Sequence, residues 1–175
     1  MKKNFIAIAV LASSSVFSLH AAATDGNVKF TGEITDVTCQ VDTGSASPLE
    51  VKLGKVARTS FTGAGSKASA TKFTLQLSAC PDSITSAQVK FDGTTVVGSN
   101  GVLALTNEAG VATGVGIELS DDSNSVLPLF TASKSYTLKK DVVNNLDFVA
   151  SYIATSDDIT TGPANATASF TINYN

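Results

Sequence analysis

The chain has 175 residues, with 12 basic and 15 acidic side chains and a net charge of −3 at pH 7. Hydrophobic residues make up 43% and charged residues 15%, which is typical of a folded globular protein and excludes a disordered chain. Beyond the first residues, the longest basic run is Lys139–Lys140, so the composition argues against nucleic acid as a partner.

The start of the chain has the three parts of a secretory signal peptide. Lys2 and Lys3 supply positive charge, residues 5–19 are apolar, and small residues up to Ala23 form a cleavage site. We predict cleavage after Ala23, with cleavage after Ala21 as the alternative. The competing interpretation is a retained membrane anchor. It is disfavoured because the apolar run is short for a membrane span of roughly 20 residues.

Cleavage of the signal peptide would exclude functions that need a histidine. Cleavage removes the only histidine, His20, and leaves 10 of the 12 basic residues against all 15 acidic ones, a net charge of −5. Without histidine, Ser-His-Asp and Cys-His catalysis and histidine-ligated metal sites are excluded. We therefore predict no enzymatic activity, no cofactor, no metal and no small-molecule substrate.

The exported chain begins with an alternating apolar run that changes phase. One phase holds Gly26, Val28, Phe30, Gly32 and Ile34, and the other holds Val37, Cys39 and Val41. A change of phase turns the apolar side chains to the other face of a sheet. Two interpretations stay equally open. Either residues 24 to about 33 serve a different surface from the rest, or a β-bulge near Thr35–Asp36 interrupts one strand.

Both cysteines, Cys39 and Cys80, lie in the exported part of the chain. An isolated pair in an oxidising compartment predicts one structural disulfide. A redox pair is typically closer in sequence, and a zinc site needs four ligands, so both alternatives are disfavoured. On the loop-entropy argument, such a bridge stabilises the fold by about 4 kcal/mol.

Short alternating runs follow along the rest of the chain, separated by turn residues. They are LEVKLGKV, KFTLQLSA, AQVKF, VLAL, GVGIEL, LPLF, SYTLK, LDFVASYIA and ASFTINY. Many short strands at spacings of about 8–12 residues predict one all-β domain, a sandwich or a barrel. The last run ends at Tyr174, one residue before the end of the chain, so we expect that strand to have an uncovered edge. If a free apolar strand at the front and the open edge at the back belong to different molecules, the protein polymerises head to tail.

Taken together, these segments resemble the pilin subunits of chaperone–usher fimbriae and are similar to type 1 and P pilus major subunits. The resemblance covers the whole chain. Its segments are the signal peptide, the extension TDGNVKFTGEI, the cysteines in TCQVD and QLSACP, the stretch GVGIELSDDSNSVLPL, and an ending with Gly162 fourteenth from the end and Tyr174 penultimate.

The resemblance implies an incomplete immunoglobulin-like Greek-key sandwich that lacks its last strand and has a hydrophobic groove beside its C-terminal strand. A periplasmic pilus chaperone lends a strand to this groove, and at the outer-membrane usher the extension of the next subunit replaces it by donor-strand exchange. The donor residues implied here are Gly26, Val28, Phe30 and Gly32. The residues implied beside the acceptor groove are Phe170, Ile172 and Tyr174.

We therefore predict a cleaved signal peptide at residues 1–23, a donor-strand extension at 24–35 and a pilin domain at 36–175. The resemblance implies a structural subunit that passes through the periplasm to the cell surface and polymerises with identical or related subunits into the shaft of an adhesive filament. A minor or adaptor subunit is the alternative. A tip adhesin fits less well, because in this family it normally needs an additional receptor-binding domain.

Overall fold

The computed structural model of the protein describes residues 28–32, 34, 38–42 and 48–175. They belong to two units, one ending at Ile34 and the other beginning at Thr35, and each is described by itself. The predicted signal peptide, Gly26 and the phase change at Thr35–Asp36 lie outside the described residues.

The unit from Thr35 to Asn175 is built almost entirely of strands. They are β1 Gln40–Asp42, β2 Lys67–Ser78, β3 Ser86–Asp92, β4 Val102–Leu103, β5 Val115–Asp121, β6 Tyr136–Thr137, β7 Asn144–Ala154 and β8 Ser169–Tyr174. A single 3-10 turn, Arg58–Ser60, precedes β2. Within the described residues, no helix has the length and apolar character needed to cross a membrane.

The strands form two antiparallel sheets that pack face to face. The larger sheet has the order β1-β2-β7-β5-β4, and the smaller has the order β6-β3-β8. Because side chains alternate across a strand, paired residues such as Phe73 and Phe148 share one face. That face meets the smaller sheet, since the rings of Phe91 on β3 and Phe148 on β7 lie 5.2 Å apart edge to face.

The core between the sheets is apolar and closely packed. Leu75, Leu77, Leu146 and Phe148 are all at most 1% exposed. Full burial of such side chains contributes about 1.5–3 kcal/mol each. The prediction of an all-β sandwich is confirmed.

Two of the predicted strands do not form. LPLF, residues 127–130, forms no strand, because Pro128 has no N–H and Phe130 takes a left-handed conformation with φ of 65°. An isolated bridge between Val126 and Ser120 lies just before it. LEVKLGKV alternates as a strand does, but it belongs to neither sheet. The other runs each contain a strand, several of them shorter than the run.

The predicted disulfide between Cys39 and Cys80 is present, with the two Cα atoms 4.2 Å apart. Both cysteines are buried. The adjacent Asn144 is buried too, and its Nδ2 donates to the carbonyl oxygens of Lys139 at 2.9 Å and Leu77 at 3.4 Å. The bridge links the start of β1 to the end of β2, and the Asn144 side chain joins β2 to the β6–β7 connection.

Candidate functional site at the open edge of β8

The terminal strand β8 is an edge strand. It pairs with β3 in an antiparallel register in which Ala87 lies opposite Tyr174 and Phe91 opposite Phe170. On the other side of β8, no strand of the described residues is paired with it. The unpaired backbone groups of such an edge are a template for another strand.

The register shows which residues present those backbone groups. Ser86 and Asn175 exchange both backbone hydrogen bonds, each 2.9 Å long. In an antiparallel ladder, such pairs alternate with residues whose N–H and C=O groups point away from the partner. The backbone groups of Phe170, Ile172 and Tyr174 therefore point to the open side.

The same three residues carry the apolar side chains of β8. All three are half-buried and pack against the core, while Ser169, Thr171 and Asn173 are exposed. Phe170 extends the core aromatics, with its ring 6.4 Å from that of Phe91. Burial raises the pKa of the Tyr174 phenol. The alternation continues upstream through half-buried Ala164, Ala166 and Ala168.

Residues 49–56, which we call the wall segment, belong to neither sheet, and at one end Gly54 and Val56 line the same cavity as Pro163 and Ala164 on the approach to β8. Its half-buried apolar side chains pack against the core and are Leu49, Val51, Leu53 and Val56. Within the described part of the chain, the wall segment makes no backbone–backbone hydrogen bond. Ser69 Oγ donates to the Leu53 carbonyl and thereby attaches the segment to β2. LEVKLGKV therefore alternates like a strand but has no ladder partner among the described residues.

A cavity of about 500 Å³ lies where one end of the wall segment meets the chain leading into β8. Its lining includes Val56 from the wall segment, Pro163 and Ala164 from the approach to β8, and Tyr152 from β7. Tyr152 Oη donates to the Ala164 carbonyl at 3.0 Å and so holds this end of the opening in place. Burial raises the pKa of Tyr152, which therefore stays protonated as a donor at neutral pH.

Gly162 lies just before this stretch and is required by close packing. A Cβ at this position would lie 2.0 Å from the Gly110 carbonyl oxygen and 2.7 Å from the Ala112 nitrogen. The next residue, Pro163, accepts a 2.9 Å hydrogen bond from the Ala112 N–H. Gly162 therefore lets the chain that enters β8 pack on the 110–112 loop.

The predicted donor residues that the structure describes are exposed. Val28 and Phe30 have 78% and 90% of their surface accessible, and a Cβ added at Gly32 would meet nothing within 4 Å. Gly26 lies outside the described residues. Neither Val28 nor Phe30 belongs to the described hydrophobic core.

The sequence does not reveal the wall segment as part of the site. Its alternation predicts an ordinary strand, because the pattern of a half-buried strand is the same whether or not its backbone has a partner. Among the described residues, no group of three histidine, cysteine or acidic side chains is placed to hold a metal ion.

These features define a class of protein: a β-sandwich with an unpaired terminal strand beside an apolar opening. The Fimbrial protein family profile matches residues 28–175, and the chain belongs to that family. It is 37% identical over 175 residues to Long polar fimbria protein A of Salmonella typhimurium strain LT2, which covers 99% of this chain and 97% of that protein. It is 39% identical over 183 residues to the type-1 fimbrial protein A chain of Escherichia coli strain K12, covering 99% and 100%.

The fold matches that of the P pilus rod subunit PapA with a TM-score of 0.66 at 20% identity, over 79% of this chain and 100% of that one. The predictions of a chaperone–usher pilin and of an incomplete immunoglobulin-like sandwich are confirmed. The family is one of structural fimbrial proteins and not of enzymes.

Proposed function

We propose that this chain is the shaft subunit of a chaperone–usher fimbria and that it polymerises head to tail by donor-strand exchange. Residues 24–34 of one copy fill the opening between β8 and the wall segment of the next copy. The observation that carries this proposal is the open edge of β8, where Phe170, Ile172 and Tyr174 present both unpaired backbone groups and half-buried side chains.

The lengths of the two partners support the proposal. The alternating row beside the opening runs over residues 164–174, as many residues as the donor stretch 24–34, and each spans roughly 35 Å when extended. Insertion would bury Val28 and Phe30, each contributing about 1.5–3 kcal/mol. It would also pair the backbone N–H and C=O groups of β8 and of the wall segment. Such groups raise the free energy of the fold when they are buried without a hydrogen-bond partner.

Before polymerisation the same opening needs a temporary occupant. We assign that role to a periplasmic pilus chaperone, with transfer to the next subunit at an outer-membrane usher and release into a fimbrium on the cell surface. Exposed apolar edges aggregate when they are unprotected, which supports a requirement for such a partner. The proposal gives the protein no catalytic role.

An adaptor subunit would use the same joint but would occur in few copies. A shaft subunit should instead be the main component of filaments sheared from cells. Quantifying this chain in sheared filaments by mass spectrometry separates the two roles.

Replacing Phe30 with Asp tests the donor directly. We expect the F30D chain to accumulate in the periplasm, because its own opening is intact, but to give roughly a hundredfold fewer filaments, because burying an unpaired charge is strongly unfavourable. Electron microscopy and filament yield measure the effect. G26W should act similarly through bulk.

The matched control is Val97→Asp, which places the same charge on a residue that is 100% exposed. V97D filaments should form normally. Normal filaments from F30D would contradict the donor assignment.

A further inference from the structure

The outward face of the wall segment is charged. Glu50 and Lys52 are 71% and 78% exposed in their side chains, and the Lys52 Nζ lies 3.7 Å from a Glu50 carboxylate oxygen. Two residues apart in an extended chain, they share the face opposite to Val51 and Leu53. Gly54 has a left-handed φ of 73°, which is accompanied by a shift in the alternation, so that Lys55 is exposed and Val56 half-buried.

The other side of the opening carries no charge. The outward residues of β8 are Ser169, Thr171 and Asn173, and all three are exposed. A strand inserted in the opening would therefore meet charged side chains on one side only. From the N-terminal end of the wall segment, their order is acidic, basic, basic: Glu50, Lys52, Lys55.

The donor stretch has a complementary pattern. With Val28 and Phe30 facing the core, the exposed Lys29 between them faces outward. The sequence places an acidic residue four positions to each side of it, Asp25 and Glu33. In the sequence, the positions in phase with Lys29 thus read acid, base, acid.

We infer that this charge pattern sets the register of the donor strand, with Lys29 of one copy beside Glu50 of the next copy. The inference rests on the proposed function and names the groups that position its joint. With Lys29 opposite Glu50, an acidic residue lies opposite Gly54 and beside Lys55 in either strand direction. It is Asp25 if the donor runs antiparallel to the wall segment and Glu33 if it runs parallel. Side chains directly opposite on neighbouring strands have Cβ atoms about 5 Å apart, close enough for ion pairs.

Other registers are less favourable. A shift by one residue turns Val28 and Phe30 to solvent. A shift by two in one direction places Lys29 beside Lys52, a like-charge pair, and in the other direction places it beside Pro48, which has no charge. The charges therefore add to any discrimination by the size of the apolar pockets.

A charge exchange in the full-length protein, expressed with its chaperone and usher, tests the inference. Lys29→Glu and Glu50→Lys each create a like-charge contact at every joint, and we expect each to slow filament assembly about two- to fivefold. The double variant K29E/E50K restores the opposite charges, and its rate should return to that of the wild type. The single-variant defects should shrink at about 0.5 M salt, where exposed charges are screened.

Lys139→Glu, which makes the same charge change on the connection between β6 and β7, is the control and should assemble at the wild-type rate. If E50K does not accumulate, E50Q with and without K29Q gives the same comparison, with a smaller loss in each single variant and no further loss in the pair.

The inference and the proposed function fail in different ways. Additive defects in K29E/E50K, or single variants that assemble at the wild-type rate, overturn the register inference while F30D still blocks assembly. If F30D assembles normally, the proposed joint itself is wrong.

Discussion

At the scale of single residues, Gly162 shows how a backbone contact can shape the candidate site. Its lack of a side chain lets the approach to β8 lie against Gly110 and Ala112. The sequence alone marked this glycine only through the family resemblance. The physical reason is a backbone contact between segments some 50 residues apart, and no local pattern encodes such a contact.

We expect Gly162→Ala to lower the free energy of unfolding by about 1–3 kcal/mol, because the backbone must move to admit the methyl group. Gly101→Ala is the matched control, since a Cβ there meets only Ser99 Oγ at 3.8 Å. Urea unfolding of the chaperone-released subunits measures both. Equal stabilities of G162A and G101A would contradict this account of the close packing.

At the scale of elements, strands were predictable where a partner is present in the same chain. KFTLQLSA and LDFVASYIA became the central pair β2 and β7 because their alternation matches the two faces of one sheet. LPLF has a comparable apolar content, but Pro128 and the left-handed Phe130 prevent a ladder. LEVKLGKV has the alternation but no strand partner among the described residues, and the local pattern is the same in both cases.

The sequence predicts the β8 side of the candidate site but not the side formed by the wall segment. The alternation in ASFTINY correctly indicated which residues of β8 carry the apolar side chains, because period 2 is a local property. The position of the wall segment beside the opening depends on long-range packing, including the Ser69–Leu53 hydrogen bond, and no spacing in the sequence reveals it.

The disulfide is the covalent link between elements, and its removal should be costly. We expect Cys39→Ser, Cys80→Ser and the double variant each to lose about 2–5 kcal/mol of stability, because the unfolded chain gains entropy once the loop is open. Yields of periplasmic subunit report the loss. The double variant should be no worse than the poorer of the two single ones.

Thiol labelling of the denatured wild-type protein under non-reducing conditions provides the direct check. It should find no reactive cysteine, and two reactive thiols in exported material would refute the bridge.

At the scale of the whole molecule, the exposed Val28 and Phe30 and the open edge of β8 are the two halves of the joint that we propose. In that proposal each half lacks a strand partner, and two copies together complete the pair. Assembly by this route needs no covalent bond, because it joins backbone pairing to apolar burial along about ten residues.

In the function that we propose, the sandwich lacks one strand, and residues 24–34 of another copy supply it. The most direct test appends a short linker and a second copy of residues 24–34 after Asn175 and compares thermal melting of this variant with that of the exported chain alone. We predict that the extended variant is a monomer that does not polymerise and melts far above the chaperone-free exported chain. An exported chain that folds without any added strand to an equally stable monomer would mean that the sandwich is already complete, and it would contradict the account.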